Sequence, residues 1–117
     1  MRVEEMEAGR ELDALVAEKV MGVKPERVYC ATSGRNISRY FDREDRMRIE
    51  PYSTDIAAAW KVVEKMSEEA LPSILHNGQM WVAEFYSITY AHTAYAYTAP
   101  LAICRAALKA VGVEVQP

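Results

Sequence analysis

Two segments within residues 1–70 repeat apolar residues every three or four positions, which is the spacing of one face of an α-helix. The first helix is predicted to end at Gly22, because glycine favours the position just after a helix and Pro25 cannot continue one. The second is predicted to begin after a cap at Ser53 or Thr54, with Asp55 in its first turn. The predicted core positions are Leu12, Leu15, Val16 and Val20 in the first helix and Ile56, Ala59, Trp60, Val63 and Met66 in the second, while Glu11, Asp13, Glu18, Lys19, Lys61, Glu64, Lys65 and Glu68 are predicted to face outward.

A third helix is predicted between Thr98, a suitable capping residue, and Gly112. Pro100 falls in its first turn, where a missing backbone N–H is tolerated. Arg105 and Lys109 are the only charged residues of this helix, and they share one face because they lie four positions apart. The predicted core face consists of Leu101, Cys104, Ala107, Leu108 and Val111.

Short runs of β-branched and aromatic residues between the helices predict strands. Residues 27–32 (RVYCAT) form one such run, and residues 80–90 (MWVAEFYSITY) form the longest. The pair Asn77-Gly78 before the longest run is typical of a tight hairpin turn. Residues 91–97 (AHTAYAY) either extend the longest strand or form another one.

The order of these elements predicts an α+β fold. Residues 35–52, with five arginines and four acidic residues, are typical of an irregular solvated excursion, and an edge hairpin is the alternative. Hairpins outnumber parallel units, so the sheet is expected to be mainly antiparallel. Three amphipathic helices exceed what one face of a few short strands can cover. We therefore predict one domain, residues 1–117, with three helices in a three-layer helix–sheet–helix sandwich around a short sheet.

Composition and charge exclude several classes of protein. Half of the residues are hydrophobic and the formal net charge is −3, which disfavours electrostatic binding of nucleic acid. No apolar run approaches the roughly 18 residues of a membrane span, and the acidic start of the chain is unlike a signal peptide. We expect a cytoplasmic protein without a membrane partner. Cys30 and Cys104 are expected to be buried free thiols, with a disulfide as the alternative.

The sequence contains no phosphate-binding loop, dinucleotide-binding glycine pattern, nucleophile elbow or zinc-protease motif. His76 lies in the predicted turn and His92 lies among tyrosines, and neither has partners at metal-ligand spacing. Glu84 interrupts an apolar strand and is expected to face outward. One unusual carboxylate without a paired acid or a nucleophile does not make a catalytic site. We therefore expect no enzymatic activity, no catalytic residue, no metal and no cofactor.

Two features remain as candidates for ligand binding. Arg105 and Lys109 stand among alanines, which leave little to hold the guanidinium away from a partner; the alternative is the solvated edge of a buried helix. Tyrosine is a rigid contact residue that stacks on bases and fills interfaces, although a dense set of aromatic residues is also compatible with an ordinary core and its rim. The aromatic set comprises Phe85, Tyr86, Tyr90, Tyr95 and Tyr97.

Three stretches, residues 10–22 (RELDALVAEKVMG), 52–66 (YSTDIAAAWKVVEKM) and 98–112 (TAPLAICRAALKAVG), resemble the small phage proteins of the phage ABA sandwich domain family. The resemblance covers the three predicted helices and not the segments between them. It implies a helix–sheet–helix sandwich, a phage or prophage origin and a location in the host cell cytoplasm. It also implies a relation to the phage sponges that counter Thoeris defence, which bind cyclic ADP-ribose-type signals or cyclic oligonucleotides as homo-oligomers without cleaving them.

This resemblance makes Arg105 the position expected to bind a ligand. We expect a counter-defence protein that sequesters a cyclic nucleotide at a subunit boundary, because one small domain offers little concavity. The alternative is a phage inhibitor that blocks a host defence or CRISPR protein through a surface patch, in which the acidic charge and residues 35–50 would matter most. The expected ligand-binding residues are Arg105, Lys109, Tyr90, Tyr95, Tyr97 and Arg35.

Overall fold

The predicted helices and strands are present, with changes at several of their boundaries. The computed structural model describes residues 3–32 and 35–112. A 3₁₀ turn at Val3–Glu5 precedes the first helix. The elements that follow are α1 (Arg10–Lys19), β1 (Pro25–Thr32), β2 (Arg35–Asp42), α2 (Ile56–Met66), β3 (Leu71–His76), β4 (Trp81–Tyr86), β5 (Ala91–Ala96) and α3 (Ala99–Ala110).

Helix α1 buries the face that its periodicity predicts. Leu12 and Val16 are fully buried. The helix ends at Lys19, three residues before the predicted end at Gly22, and the φ of 71° at Gly22 lies in the left-handed region that glycine adopts without strain. The backbone N–H of Val23 then donates to the carbonyl of Ala17 at 2.8 Å. The apolar stripe therefore identified the helix, while the glycine placed its end three residues too late.

Helix α2 is rotated relative to its predicted face. Ile56 is 53% exposed and Trp60 is 50% exposed, so the prediction that both are core residues is wrong. The helix packs against α3, and small residues such as Ala58 and Ala59 permit that close approach. The bulky Trp60 lies about 100° further around the helix axis than Ala59, on the flank of the contact. The buried residues of α2 are Ala58, Ala59, Val62, Val63 and Met66.

The cap of α2 also differs from the prediction. The N-cap is Asp55, and its carboxylate accepts a hydrogen bond from the backbone N–H of Ala58 at 3.4 Å. Neither Ser53 nor Thr54 caps the helix, because Ser53 is 1% exposed and bonds to α1 instead. A carboxylate performs the capping role as well as a hydroxyl does.

Helix α3 is buried on almost every side. It begins after Thr98, as predicted, whose hydroxyl accepts a hydrogen bond from the Leu101 N–H at 3.4 Å, and it packs on β4 and β5 as well as on α2 and α1. Cys104 is a free, buried thiol whose pKa is raised by its burial. Val111 is 42% exposed and does not extend the core face as predicted. The fully buried residues of the helix are Ala102, Ile103, Cys104, Ala106, Ala107 and Leu108.

The fold class is confirmed: three helices combine with antiparallel strands, and the strands form two small sheets. β1 pairs with β2, and β3, β4 and β5 form a three-stranded sheet in that order. Residues 35–42 form β2, the second strand of a hairpin with β1, so the hairpin alternative is correct for this part of residues 35–52. The prediction of an irregular segment holds only after Asp42. The predicted turn at Asn77-Gly78 joins β3 to β4, and the Asn77 N–H donates to the Met80 carbonyl at 3.1 Å.

The longest predicted strand is interrupted by a turn. The backbone N–H of Ser87 donates to the carbonyl of Tyr90 at 2.8 Å, which reverses the chain and starts β5. Ile88 at the tip of this turn is fully exposed. Of the two alternatives for residues 91–97, the separate strand is therefore the correct one. Alternation within the run does not reveal the turn, because its residues have the strand-forming character of their neighbours.

A buried carboxylate joins α1 to the segment before α2. Asp13, predicted to face outward, is only 8% exposed. Its Oδ1 accepts hydrogen bonds from the Ser53 N–H at 2.8 Å and from the Ser53 hydroxyl at 2.6 Å, and the Gly9 N–H donates to the same hydroxyl oxygen at 2.9 Å. Burial raises the pKa of the Asp13 carboxyl, while the two bonds from Ser53 oppose that rise.

We expect substitutions of two aromatic residues to separate the core from its flank. Phe85 is 1% exposed, so Phe85→Ala should lower the free energy of unfolding by about 3–5 kcal/mol. Trp60→Ala should lower it by about 1 kcal/mol or less, because half of that side chain already contacts solvent. Urea unfolding followed by circular dichroism measures both values. Equal losses for the two variants would contradict the rotation of α2.

We expect the stability of the wild type relative to Asp13→Asn to increase as the pH falls. The raised pKa of Asp13 means that the folded protein binds a proton at pH values at which the unfolded chain does not. The extra stability should begin to appear as the pH falls to the raised pKa of Asp13 in the folded protein. It should be complete below 3.8, the ordinary pKa of the carboxyl. Urea midpoints of both proteins, measured from neutral pH downward, test this. A difference that does not change with pH would refute it.

Candidate functional site

Arg105 holds three parts of the fold together. Its Nε and Nη2 donate to the backbone carbonyl of Met6 at 3.1 and 2.7 Å, and its Nη1 donates to the carbonyl of Tyr95 at 3.0 Å. The guanidinium thus fastens the N-terminal segment and β5 to α3. The expectation that little restrains it is wrong, because the neighbouring alanines allow it to reach backbone carbonyls.

Lys109 also binds a backbone carbonyl of β5. Its Nζ donates to the carbonyl of Thr93 at 2.7 Å. Thr93 and Tyr95 lie two positions apart on β5, which is an edge strand, so their carbonyls point to the same side. Charged side chains at a sheet edge oppose pairing with another strand. Arg105 and Lys109, four residues apart on α3, therefore both have a structural role at the edge of β5.

The three predicted binding tyrosines are exposed but do not form one cluster. Tyr90, Tyr95 and Tyr97 are 66%, 52% and 81% exposed. Tyr90 precedes β5 and Tyr97 follows it, so a six-residue strand separates them by roughly 20 Å. Tyr95 and Tyr97 lie at the Arg105 end, whereas the ring of Tyr90 lies 5.7 Å from that of His92. Arg35 is the first residue of β2, and its side chain lies outside the part that the structure describes.

One face of the three-stranded sheet packs on α3, and the other carries a polar pair surrounded by apolar side chains. The hydroxyl of Thr93 donates to Glu84 Oε2 at 2.7 Å on this outer face. Glu84 thus faces away from α3, as predicted from the sequence. Around this pair, Leu71, Leu75 and Tyr95 are 61%, 48% and 52% exposed. The described residues therefore leave an accessible and largely apolar sheet surface.

A cleft of about 540 Å³ lies where the C-terminal ends of the three helices approach Tyr90 and His92. Its two lysines are engaged: Lys19 pairs with Glu18 and Lys65 with Glu68, each at 3.2 Å. Helix C-termini carry a partial negative charge. This cleft consequently does not provide the positive potential that a phosphate requires, although two aromatic residues line it.

A second hollow, of about 60 Å³, is lined by two arginines that are not among the ligand-binding residues expected from the sequence: its lining residues are Arg10, Asp13, Tyr40, Arg48 and Ile49. The hydroxyl of Tyr40 donates to Glu11 Oε2 at 2.6 Å, and the Arg27 guanidinium lies 5.9 Å from the centre of the Tyr40 ring. Arg10 and Arg48 come from distant parts of the sequence, so no local spacing signals their approach. We name this set the Arg10–Arg48 pocket.

The histidines do not form a metal site with other described residues. His76 Nδ1 accepts a hydrogen bond from the Gly78 N–H at 3.1 Å, and its ring contacts Trp81 edge-on at 5.3 Å. No group of three potential metal-ligating side chains occurs in residues 3–32 and 35–112. Within the same ranges, no helix has the length and hydropathy that crossing a membrane would require.

Comparison with known proteins agrees with this architecture. The Phage ABA sandwich domain matches residues 14–108. The chain is also similar to a phage protein from Bacillus cereus ATCC 14579, known from a 2.0 Å crystal structure, with 28% sequence identity, a TM-score of 0.67 and coverage of 88% of this chain and 90% of that chain. No curated protein matches the chain. Because the matched segment runs from α1 to α3 and so includes every strand, the chain belongs to the Phage ABA sandwich domain family.

Proposed function

We propose that this protein is a phage counter-defence factor that sequesters a cyclic nucleotide signal, of the cyclic ADP-ribose or cyclic oligonucleotide type, without cleaving it. The observation that carries the proposal is the combination of Arg105 with two exposed tyrosines at one end of β5. Tyr97 is 81% exposed and Tyr95 is 52% exposed, and the Arg105 guanidinium donates to the Tyr95 carbonyl. Aromatic faces stack on bases, and a guanidinium matches a phosphate.

Arg105 keeps donors for a ligand while it holds the fold. A guanidinium has five N–H groups, and three hydrogen bonds join Arg105 to Met6 and Tyr95. The remaining N–H groups lie on a side chain whose position is already fixed, so a phosphate meets a pre-organised donor. A ligand of this size needs more enclosure than one exposed surface offers, which favours a site shared between two copies.

The alternative is a phage inhibitor that binds a host defence or CRISPR protein. The outer face of the three-stranded sheet supports it, because Leu71 and Leu75 are 61% and 48% exposed and Ile88 is fully exposed close to Leu71. Apolar side chains grouped on a surface are typical of protein-binding sites. In that case the acidic net charge of −3 would select basic partners.

We expect the protein to be a homo-oligomer. Ile56 and Trp60 are half exposed on α2, and an apolar sheet surface is accessible elsewhere; contiguous exposed apolar side chains are typical of surfaces that bind another protein chain. Light scattering at micromolar concentration should give a multiple of the 13.2 kDa chain mass. A mass equal to that of one chain would refute this expectation.

We expect calorimetric titration with cyclic ADP-ribose isomers and cyclic oligonucleotides to find at least one ligand. Arg105→Lys and Tyr97→Ala should each weaken its binding at least tenfold, since a charge-assisted hydrogen bond or a stacked ring contributes about 1.5–3 kcal/mol and about 1.4 kcal/mol is a factor of ten. Arg43→Lys, on an exposed part of the loop after β2, is the matched control and should bind as the wild type does.

Thermal melts of the variants separate binding from folding, because Arg105 also holds Met6 and Tyr95. Tyr97 is 81% exposed, so its side chain contributes little to folding. The Tyr97→Ala variant should therefore have the same melting temperature as the wild type. Mass spectrometry of compounds released by heating protein from signal-producing cells should recover the ligand unmodified. Absence of binding across the panel would reject the sponge, and binding unaffected in both variants would reject this site.

A further inference from the structure

We propose that the Arg10–Arg48 pocket binds a phosphate group that retains an O–H, either free hydrogen phosphate or the singly protonated end of a phosphate monoester. This site is separate from the Arg105 surface: its residues belong to the first turn of α1, to β2 and to the segment after β2, and none of them contributes to the β5 edge. The inference therefore goes beyond the proposed function and does not depend on it.

Two guanidinium groups supply the positive charge. Arg10 is the first residue of α1, and Arg48 follows β2 and bridges to Phe41 through the backbone. Arg48 has no carboxylate within ion-pair distance among the described residues, so its charge is available to a ligand. A planar guanidinium can donate two hydrogen bonds to one tetrahedral oxyanion, so two guanidinium groups beside one small hollow suit such a ligand better than lysine ammonium groups would.

Asp13 supplies the acceptor that makes the site selective. Its Oδ1 receives both hydrogen bonds from Ser53, while its Oδ2 accepts none from the residues that the structure describes. The side chain is 8% exposed and lines the pocket. A buried carboxylate oxygen requires a donor, and a phosphate O–H provides one while its other oxygens accept from the arginines.

The size of the pocket agrees with this ligand. Its volume of about 60 Å³ corresponds to about five water-sized positions, at roughly 10–15 Å³ each, which is room for one tetrahedral oxyanion. Ile49 and the Tyr40 ring form the less polar walls. A whole nucleotide does not fit inside, whereas the phosphate end of a monoester fits with the remainder in solvent.

The carboxylate predicts discrimination between two anions of the same shape. Sulfate carries no proton near neutral pH, so it can only present negative oxygens to Asp13, and the repulsion opposes binding. Hydrogen phosphate donates its O–H to the same atom. A site made only of arginines would bind both anions similarly, because their charge and geometry are alike.

The test is titration of the full chain with inorganic phosphate and with sodium sulfate near neutral pH, at matched ionic strength and followed by amide NMR shifts. We expect saturable shifts around the pocket with phosphate and at least tenfold weaker binding of sulfate. Arg48→Gln should weaken phosphate binding at least fivefold. Arg43→Gln removes the same charge from an exposed neighbouring position outside the pocket and should leave the affinity unchanged.

Asp13→Asn tests the selectivity directly, since an amide offers a donor where the carboxylate offered only an acceptor. In this variant sulfate should bind within about twofold of phosphate. Adenosine monophosphate, compared with inorganic phosphate at a pH below its second pKa of about 6 so that it keeps an O–H, then identifies the source. Tighter binding than inorganic phosphate assigns the site to a monoester, and weaker binding assigns it to the free ion.

Absence of saturation with phosphate, equal binding of the two anions by the wild type, or equal losses in Arg48→Gln and Arg43→Gln would each overturn the proposal. Tyr97→Ala should have no effect on this titration. A negative result for cyclic nucleotide binding at the Arg105 surface can thereby be distinguished from a negative result for phosphate binding at the Arg10–Arg48 pocket.

Discussion

The contact of α3 with its neighbours on both sides is the constraint on which the rest of the structure depends. Six residues of this helix are fully buried, three of them alanines, and it meets β4 and β5 as well as α2 and α1. Side chains this small bring backbones close together, which increases dispersion contacts but leaves no room for a displaced group. The two long cations of the helix therefore lie at its margin, where they hold β5 and the N-terminal segment.

The buried carboxylate of Asp13 is the corresponding constraint at the other end of α1. Taking a carboxylate out of water is unfavourable unless hydrogen bonds compensate for it, and Ser53 provides two on one oxygen. The second oxygen and the arginines of the Arg10–Arg48 pocket remain next to each other. A structural link between α1 and the segment before α2 thus also creates a polar hollow beside that link.

Although the chain is acidic overall, its positive charges are distributed unevenly over the surface. Although the total is −3, arginines line the hollow at the start of α1, while the lysines of the cleft at the helix C-termini are paired with glutamates. Binding of a small anion depends on the groups within a few ångströms and on their desolvation, and much less on the total charge, because salt screens the more distant charges. An acidic protein can therefore hold a phosphate.

The sequence alone determined the elements whose signals are local: the helices from their apolar periodicity, the start of α3 from Thr98, and the β3–β4 turn from Asn77-Gly78. Gly22 marked the end of α1 to within three residues. Tertiary structure decided the rotation of α2, which exposed Trp60, and the burial of Asp13. It also decided that Arg105 reaches backbone carbonyls and that Arg10 lies near Arg48. Periodicity constrains which residues share a face, but the partner of that face and the neighbours of a long side chain follow from packing between segments that are distant in sequence.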